Sequence, residues 1–127
     1  MKFFTIFNHT LTPEQISDAK VSFGVNEFVS LPKDLQNLWS NIPPELEKLD
    51  EYLKPLKAYM QTHISKDDIV LIQGDFGATC KLVSFVKALG TKAVYATTKR
   101  EVIETYHDKK VVKQSVFKHV RFREYLS

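Results

Sequence analysis

The stretch that most narrows what this chain can fold into is Ile69-Val70-Leu71-Ile72-Gln73-Gly74-Asp75-Phe76-Gly77-Ala78-Thr79. An apolar run without polar alternation reads as a buried strand, and it breaks directly into a glycine-bearing turn followed by a helix pattern. Gly74 and Gly77 allow a sharp turn and a close backbone approach, and the free N–H groups that open the next helix favour an anion. A second run of the same kind, Lys2-Phe3-Phe4-Thr5-Ile6-Phe7, closes on Asn8-His9-Thr10 before another helix. Two strand-to-helix turns therefore carry most of the polar groups of interest, and the chain belongs to the α/β class.

At 127 residues the chain is expected to be a single domain, 1–127, with one sizeable core. A hydrophobic fraction of 43% suits a folded globular protein, and no run approaches the roughly 18–20 apolar residues of a membrane span. The amino terminus lacks the pattern of a signal peptide, and the lone Cys80 has no internal disulfide partner, so a reducing cytoplasm is the expected location. The charge is uneven: residues 1–98 carry ten lysines against eleven acids, and residues 99–127 carry eight Lys or Arg against four acids. That tail suits a compact anionic ligand better than a DNA duplex, which asks for a broad basic face.

Thr12-Pro13-Glu14-Gln15 places a cap, a proline at the first helical position and a capping-box glutamine, and Gly24 stops the helix. Its apolar face is read as Ile16, Ala19 and Phe23. A short strand at Asn26–Ser30 follows, then a turn of helix through Leu35, Leu38 and Trp39. The spacing of Leu46, Leu49, Leu53, Leu56 and Met60 predicts a helix over 44–63, kinked near Glu51 by Pro55. After the strand at Ile69 come a helix over 78–89 and a fourth strand over 93–96. A basic segment, Glu101–Tyr106, His107–Lys110 and Val111–Tyr125, reads as an antiparallel hairpin.

Strands separated by helices imply right-handed crossovers, a mainly parallel Rossmann-like sheet of order 2-1-3-4 and helices on both faces. In that order the Asn8-His9-Thr10 and Gln73-to-Thr79 loops face one crevice between the first and third strands. Thr97-Thr98-Lys99-Arg100 reads as a third loop at the same edge. Four scattered histidines and one cysteine offer no ligand spacing, so neither a metal nor another cofactor is expected.

Five blocks resemble a small Csx-type CRISPR-associated family of type III systems: Asn8–Thr12, Leu38–Pro44, Gln73–Thr79, Tyr95–Glu101 and Val116–Tyr125. The family is similar to CARF domains, dimers that bind cyclic oligoadenylate. The resemblance implies a ring nuclease that binds and cleaves this RNA second messenger, cyclic tetra-adenylate first among them, and so ends antiviral signalling. The alternative it allows is a non-catalytic sponge or sensor for the same ring. A homodimer would present each group twice to a symmetric ligand.

Cleavage without a metal needs an aligned ribose 2′-hydroxyl, stabilisation of charge on phosphorus and proton transfer. His9, Asp75, Lys99, Arg100 and His119 are the candidate catalytic residues: imidazoles for acid–base work, the carboxylate for a base or ribose contact, the cations for phosphate. Asn8, Thr10, Gln73, Gly74, Phe76, Gly77, Ala78, Thr79, Thr97, Thr98 and Lys118 are the candidate ligand contacts. Blander readings stand beside these. His9 caps a helix, His119 is a surface strand residue, the glycines only shape a turn, and Lys99 with Arg100 forms a solvated pair. Trp39, Tyr52 and Tyr59 are core or rim aromatics, and Cys80 is a small buried helix residue.

Overall fold

A computed structural model describes residues 1–125. Its elements are β1 (Lys2–Ile6), α1 (Pro13–Phe23), β2 (Glu27–Ser30), α2 (Lys33–Ser40), α3 (Asp50–His63), β3 (Ile69–Ile72), α4 (Phe76–Ala88), β4 (Lys92–His107) and β5 (Lys110–Glu124). They form one mixed five-stranded sheet in the order β2-β1-β3-β4-β5. β1 pairs in parallel with β2 and β3, β3 pairs in parallel with β4, and β5 returns antiparallel along β4.

Strand alternation divides the core between the two faces. Phe4, Ile6, Val70 and Ile72 pack with Trp39, Leu53, Leu56, Met60, Leu82 and Val86, so α2, α3 and α4 cover one side. Phe3, Ile69, Leu71, Val94 and Phe122 pack with Ala19 and Val25, so α1 covers the other. All four residues of β3 are buried, as a central strand covered on both faces requires. The cap expected for α1 forms: Thr12 Oγ1 accepts from the Gln15 amide at 3.2 Å, and Gln15 Oε1 accepts from the Thr12 amide at 2.9 Å. Gly24, at φ +72°, ends the helix in the left-handed conformation that glycine adopts without cost. The residues it buries are Gln15 and Ala19, with Ile16 and Phe23 only half-buried.

Two sequence expectations change. The helix predicted over 44–63 begins only at Asp50, so Glu51, the expected kink site, lies in its first turn, and Pro55, inside the helix, makes no bond to the Glu51 carbonyl. The segment Thr97–Arg100 is not a loop. β4 runs on without a break to His107, bulging once between Thr97 and Thr98, and pairs with β5 along its whole length. Beyond Val94 it has left β3, so the sheet extends from its carboxyl edge as a two-stranded arm. The run of polar residues reads as a loop in sequence because neither face of this arm is covered. Asp108 and Lys109, at φ +49° and +64°, close the arm in the turn whose twist matches a hairpin.

Where β1 and β3 diverge, the space is filled from within the protein. The Trp39 indole, 1% exposed, donates from Nε1 to the Gln73 carbonyl at 3.1 Å and lies flush on Gly74. A Cβ at position 74 would stand 2.7 Å from the ring. Gly74→Ala should therefore force a rigid buried aromatic aside and cost about 1–3 kcal/mol, the usual range for overpacking. Urea denaturation followed by the fluorescence of this single tryptophan checks it, and a loss below about 0.5 kcal/mol would show that the contact does not constrain the fold.

Candidate functional site

A recess with convergent polar groups opens at the carboxyl ends of β1 and β2, between α1 and α2, with a volume near 480 Å³. Thr5 from β1, the loop residues Asn8, His9 and Thr10, Ser30 at the end of β2, and Gln36 and Ser40 on α2 supply its polar wall. Phe7, Leu11, Ile16 and Phe28 supply the apolar one. Gln36 and Ser40 lie one helical turn apart and so share a face. The Gln36 amide donates to the Phe7 carbonyl at 2.9 Å and to Ser40 Oγ at 3.0 Å, and the Ser40 hydroxyl donates to Asn8 Oδ1 at 2.9 Å. With its oxygen engaged, Asn8 is left with its Nδ2 group as a donor. His9 is exposed and meets the Phe7 ring edge-on at 5.3 Å between centroids. The cleft thus offers hydroxyls, an oriented amide, an imidazole and an aromatic wall.

Of the predicted residues, the structure brings Asn8, His9 and Thr10 together here. The β3–α4 loop does not join them, because Trp39 stands between. Gln73 is occupied by the fold itself: its amide donates to the Ile6 carbonyl at 3.0 Å and its Oε1 accepts from the Ala96 amide at 2.7 Å. Asp75 caps α4, accepting from the Ala78 amide at 3.0 Å. A carboxylate at that position already satisfies the helix terminus and its positive end, which leaves little attraction for a phosphate. Ala78 is fully buried, and Gly77 meets only ordinary contacts. Gln73, Gly74, Phe76 and Thr79 instead line a smaller recess of about 330 Å³ with Tyr95, Tyr125 and Cys80, which is exposed rather than buried because it lies on the outer side of α4.

The remaining candidates belong to the arm and its base. Thr97 Oγ1 bonds the Arg121 backbone across the strands, donating to its carbonyl at 2.8 Å and accepting from its amide at 3.2 Å. The Arg100 guanidinium donates to Ser115 Oγ at 2.9 Å, and Lys118 pairs with Glu101 at 3.4 Å. Thr98 faces His119 and Lys99 faces Lys118 in the strand register. His119 is neither a surface strand residue nor part of the cleft. Its side chain is 5% exposed, and Nε2 meets Asp18 Oδ2 of α1 at 2.6 Å. A carboxylate only accepts, so Nε2 carries the proton. This bond clasps the base of the arm to the body.

Sequence reasoning missed Thr5, Phe28, Ser30, Gln36 and Ser40. A signal existed for the last two, whose spacing of four places them on one helix face beside Trp39. Asp18 was missed because its partner lies 101 residues away. Among the described residues no three His, Cys, Asp or Glu side chains gather to hold a metal.

Residues 1–123 match the model of the family described as "Uncharacterized protein MJ1673 family". The chain belongs to this MJ1673 family. A relative from Methanocaldococcus jannaschii, "Uncharacterized protein MJ1673", is 49% identical over 124 residues, covering 98% of this chain and 96% of the relative. No solved structure matches. The cleft, the arm and both strand-to-helix loops all lie within the segment that the family match spans.

The clasp has a pH signature. Burial raises the Asp18 pKa, but hydrogen bonds from Ser22 and His119, with the attraction of His119, outweigh it and hold the carboxyl below its ordinary 3.8. A depressed folded-state pKa contributes stability that is full above the unfolded value and lost as pH falls through the folded one. Between pH 5 and pH 3 the wild type should lose stability more steeply than Asp18→Asn, the variant being the less stable of the two at pH 6. Parallel urea-denaturation profiles across that range would show that Asp18 does not hold the arm.

Proposed function

We propose that this protein is a ring nuclease that binds cyclic oligoadenylate, cyclic tetra-adenylate first, and cleaves it without a metal, acting in the cytoplasm as a homodimer. The observation that carries the reading is the cleft at the carboxyl ends of β1 and β2, where His9 stands next to an Asn8 oriented by α2. Its volume lies in the range of small-ligand sites, and the carboxyl edge of an open α/β sheet is where such sites form. The Rossmann-like and CARF-like reading of the parallel strands, β2-β1-β3-β4, belongs to the same proposal.

In this mechanism the ribose 2′-oxygen bonds to the adjacent phosphorus as the P–O5′ bond breaks. A 2′,3′-cyclic phosphate forms, and the 5′-oxygen leaves with a proton. His9 moves that proton or removes the one on the 2′-hydroxyl. Asn8 Nδ2 donates to a phosphate oxygen, and Phe28 flanks a base. Asp75, Lys99, Arg100 and His119 have no part in the chemistry here, since each serves the fold or lies on the arm. Among the described residues His9 is the one titratable side chain lining the cleft, and this favours, as the second reading, a protein that holds the ring and leaves it whole.

Purified protein incubated with cyclic tri-, tetra- and hexa-adenylate, with and without EDTA, should yield linear products ending in 2′,3′-cyclic phosphate at the same rate in both. His9→Ala should slow the single-turnover step by roughly 10²-fold, the scale of lost acid–base catalysis, while binding changes only a few fold. Tight binding of an intact ring would replace the nuclease with the sponge or sensor, and absence of binding would remove both.

A further inference from the structure

Where the arm leaves the sheet, on the side covered by α4, aromatic rings and cations meet outside the β1–β2 cleft. Two walls of the recess there are held in place. Tyr125 donates to the Ile72 carbonyl at 2.6 Å, Tyr95 accepts from the Arg123 guanidinium at 3.0 Å, and the two rings meet at 4.8 Å between centroids. Phe76 stands at the rim, 92% exposed, a large aromatic that the fold leaves unburied. Strand alternation then sets cations in a file leading away from the recess. Tyr95 faces Arg123, Thr97 faces Arg121 and Lys99 faces Lys118, and these rungs share one side of the ribbon at steps of about 6.6 Å. The bulge passes over Val120 and leaves the alternation of β4 intact. Arg123 lies over the Tyr95 ring, and Lys118 reaches Glu101 at 3.4 Å. Among the described residues, the Lys99 and Arg121 side chains make no ion pair or hydrogen bond. The acids nearby are Glu101 and Asp75, the second turned to the Ala78 amide, so the file keeps a positive excess. Other charges of the arm stand elsewhere: Arg100 bonds Ser115 and Glu104 pairs with Lys113 on the opposite face, and Asp108 sits at the tip beside His107.

We propose that this surface binds a linear single strand of nucleic acid, one base against the Phe76, Tyr95 and Tyr125 rings and successive phosphates on the three rungs. Rings beside a file of cations supply both halves of such recognition, because every base has a π-face and the backbone brings one charge per step. The recess, at about 330 Å³, has room for one base. A free mononucleotide would use one rung and leave two idle. An acidic peptide would use the cations and leave the rings with nothing to stack, and a duplex has its base faces covered. A cyclic tetranucleotide turns its phosphates on a closed curve and does not follow a straight file of about 13 Å, so this surface and the β1–β2 cleft take different ligands.

Strand binding is separable from the nuclease reading, since DNA lacks the 2′-hydroxyl that cleavage uses. Fluorescence anisotropy of a labelled oligo-deoxyadenylate of about eight nucleotides, within the usual site size, follows its binding to the full chain. With three phosphates held, log K should fall against log salt with a slope of about −2. Lys99→Ala combined with Arg121→Ala should bring that slope to about −0.7, two contacts being lost. Phe76→Ala, a change at an exposed side chain, should weaken binding about fivefold or more at every salt concentration and leave the slope alone. Arg100→Ala, on the opposite face, should stay within about twofold of wild type. Absence of binding at about 100 µM protein in low salt overturns the proposal. So does a Phe76→Ala variant that binds like wild type, an Arg100→Ala loss equal to that of the double variant, or equal competition from an oligoglutamate peptide. Displacement of the strand by cyclic tetra-adenylate would overturn the separation of the two sites.

Discussion

The contact of Trp39 with Gly74 decides where this sheet is open and where it is closed. Two diverging parallel strands leave a crevice at their carboxyl ends, and here α2 drops its indole into it, bonded to the Gln73 carbonyl and seated on the Cα of Gly74. Only a residue without a Cβ permits that approach. Because the same short helix carries Gln36 and Ser40, seating Trp39 also brings these side chains to the Phe7 carbonyl and Asn8. Closing one side of β1 thus furnishes the other, and the usable cleft moves to the β1–β2 edge.

That displacement changes the electrostatics the site can use. At α4 the Asp75 carboxylate occupies the position an anion would take, and the cations of the carboxy-terminal segment stand on the arm rather than in the cleft. What lines the cleft is hydroxyl, amide, imidazole and aromatic, groups that read a ligand by hydrogen bonds and shape. Dipoles already held in place act without the reorganisation that solvent requires, so their fixed orientation matters more than net charge. The Gln36–Ser40–Asn8 chain supplies that orientation from a helix, which is a firmer support than a loop.

Local signals were read well from sequence and long-range ones poorly. The Thr12 and Gln15 capping box, the Gly24 stop and the buried β3 run follow from rules that act over a few residues, and all three are present. The start of α3 was misplaced because leucine spacing continues upstream of Asp50 through a segment that forms no helix. The arm was divided into a loop and a hairpin because a ribbon exposed on both faces lacks the alternation that marks a half-buried strand. Gly74 was recognised as necessary but for the wrong neighbour: its sequence context suggested a phosphate, and the structure supplies an indole from position 39. The Asp18–His119 bond has no local trace at all.

The central claim is that ligand enters between β1 and β2 and not at the β3–α4 loop. A ¹⁵N-labelled sample titrated with cyclic tetra-adenylate tests it most directly, through the backbone amide shifts. The account predicts perturbations centred on Asn8–Leu11 and Phe28–Ser30, with Asp75–Thr79 almost unmoved. Large shifts at Asp75–Thr79 with Asn8–Leu11 silent would contradict it.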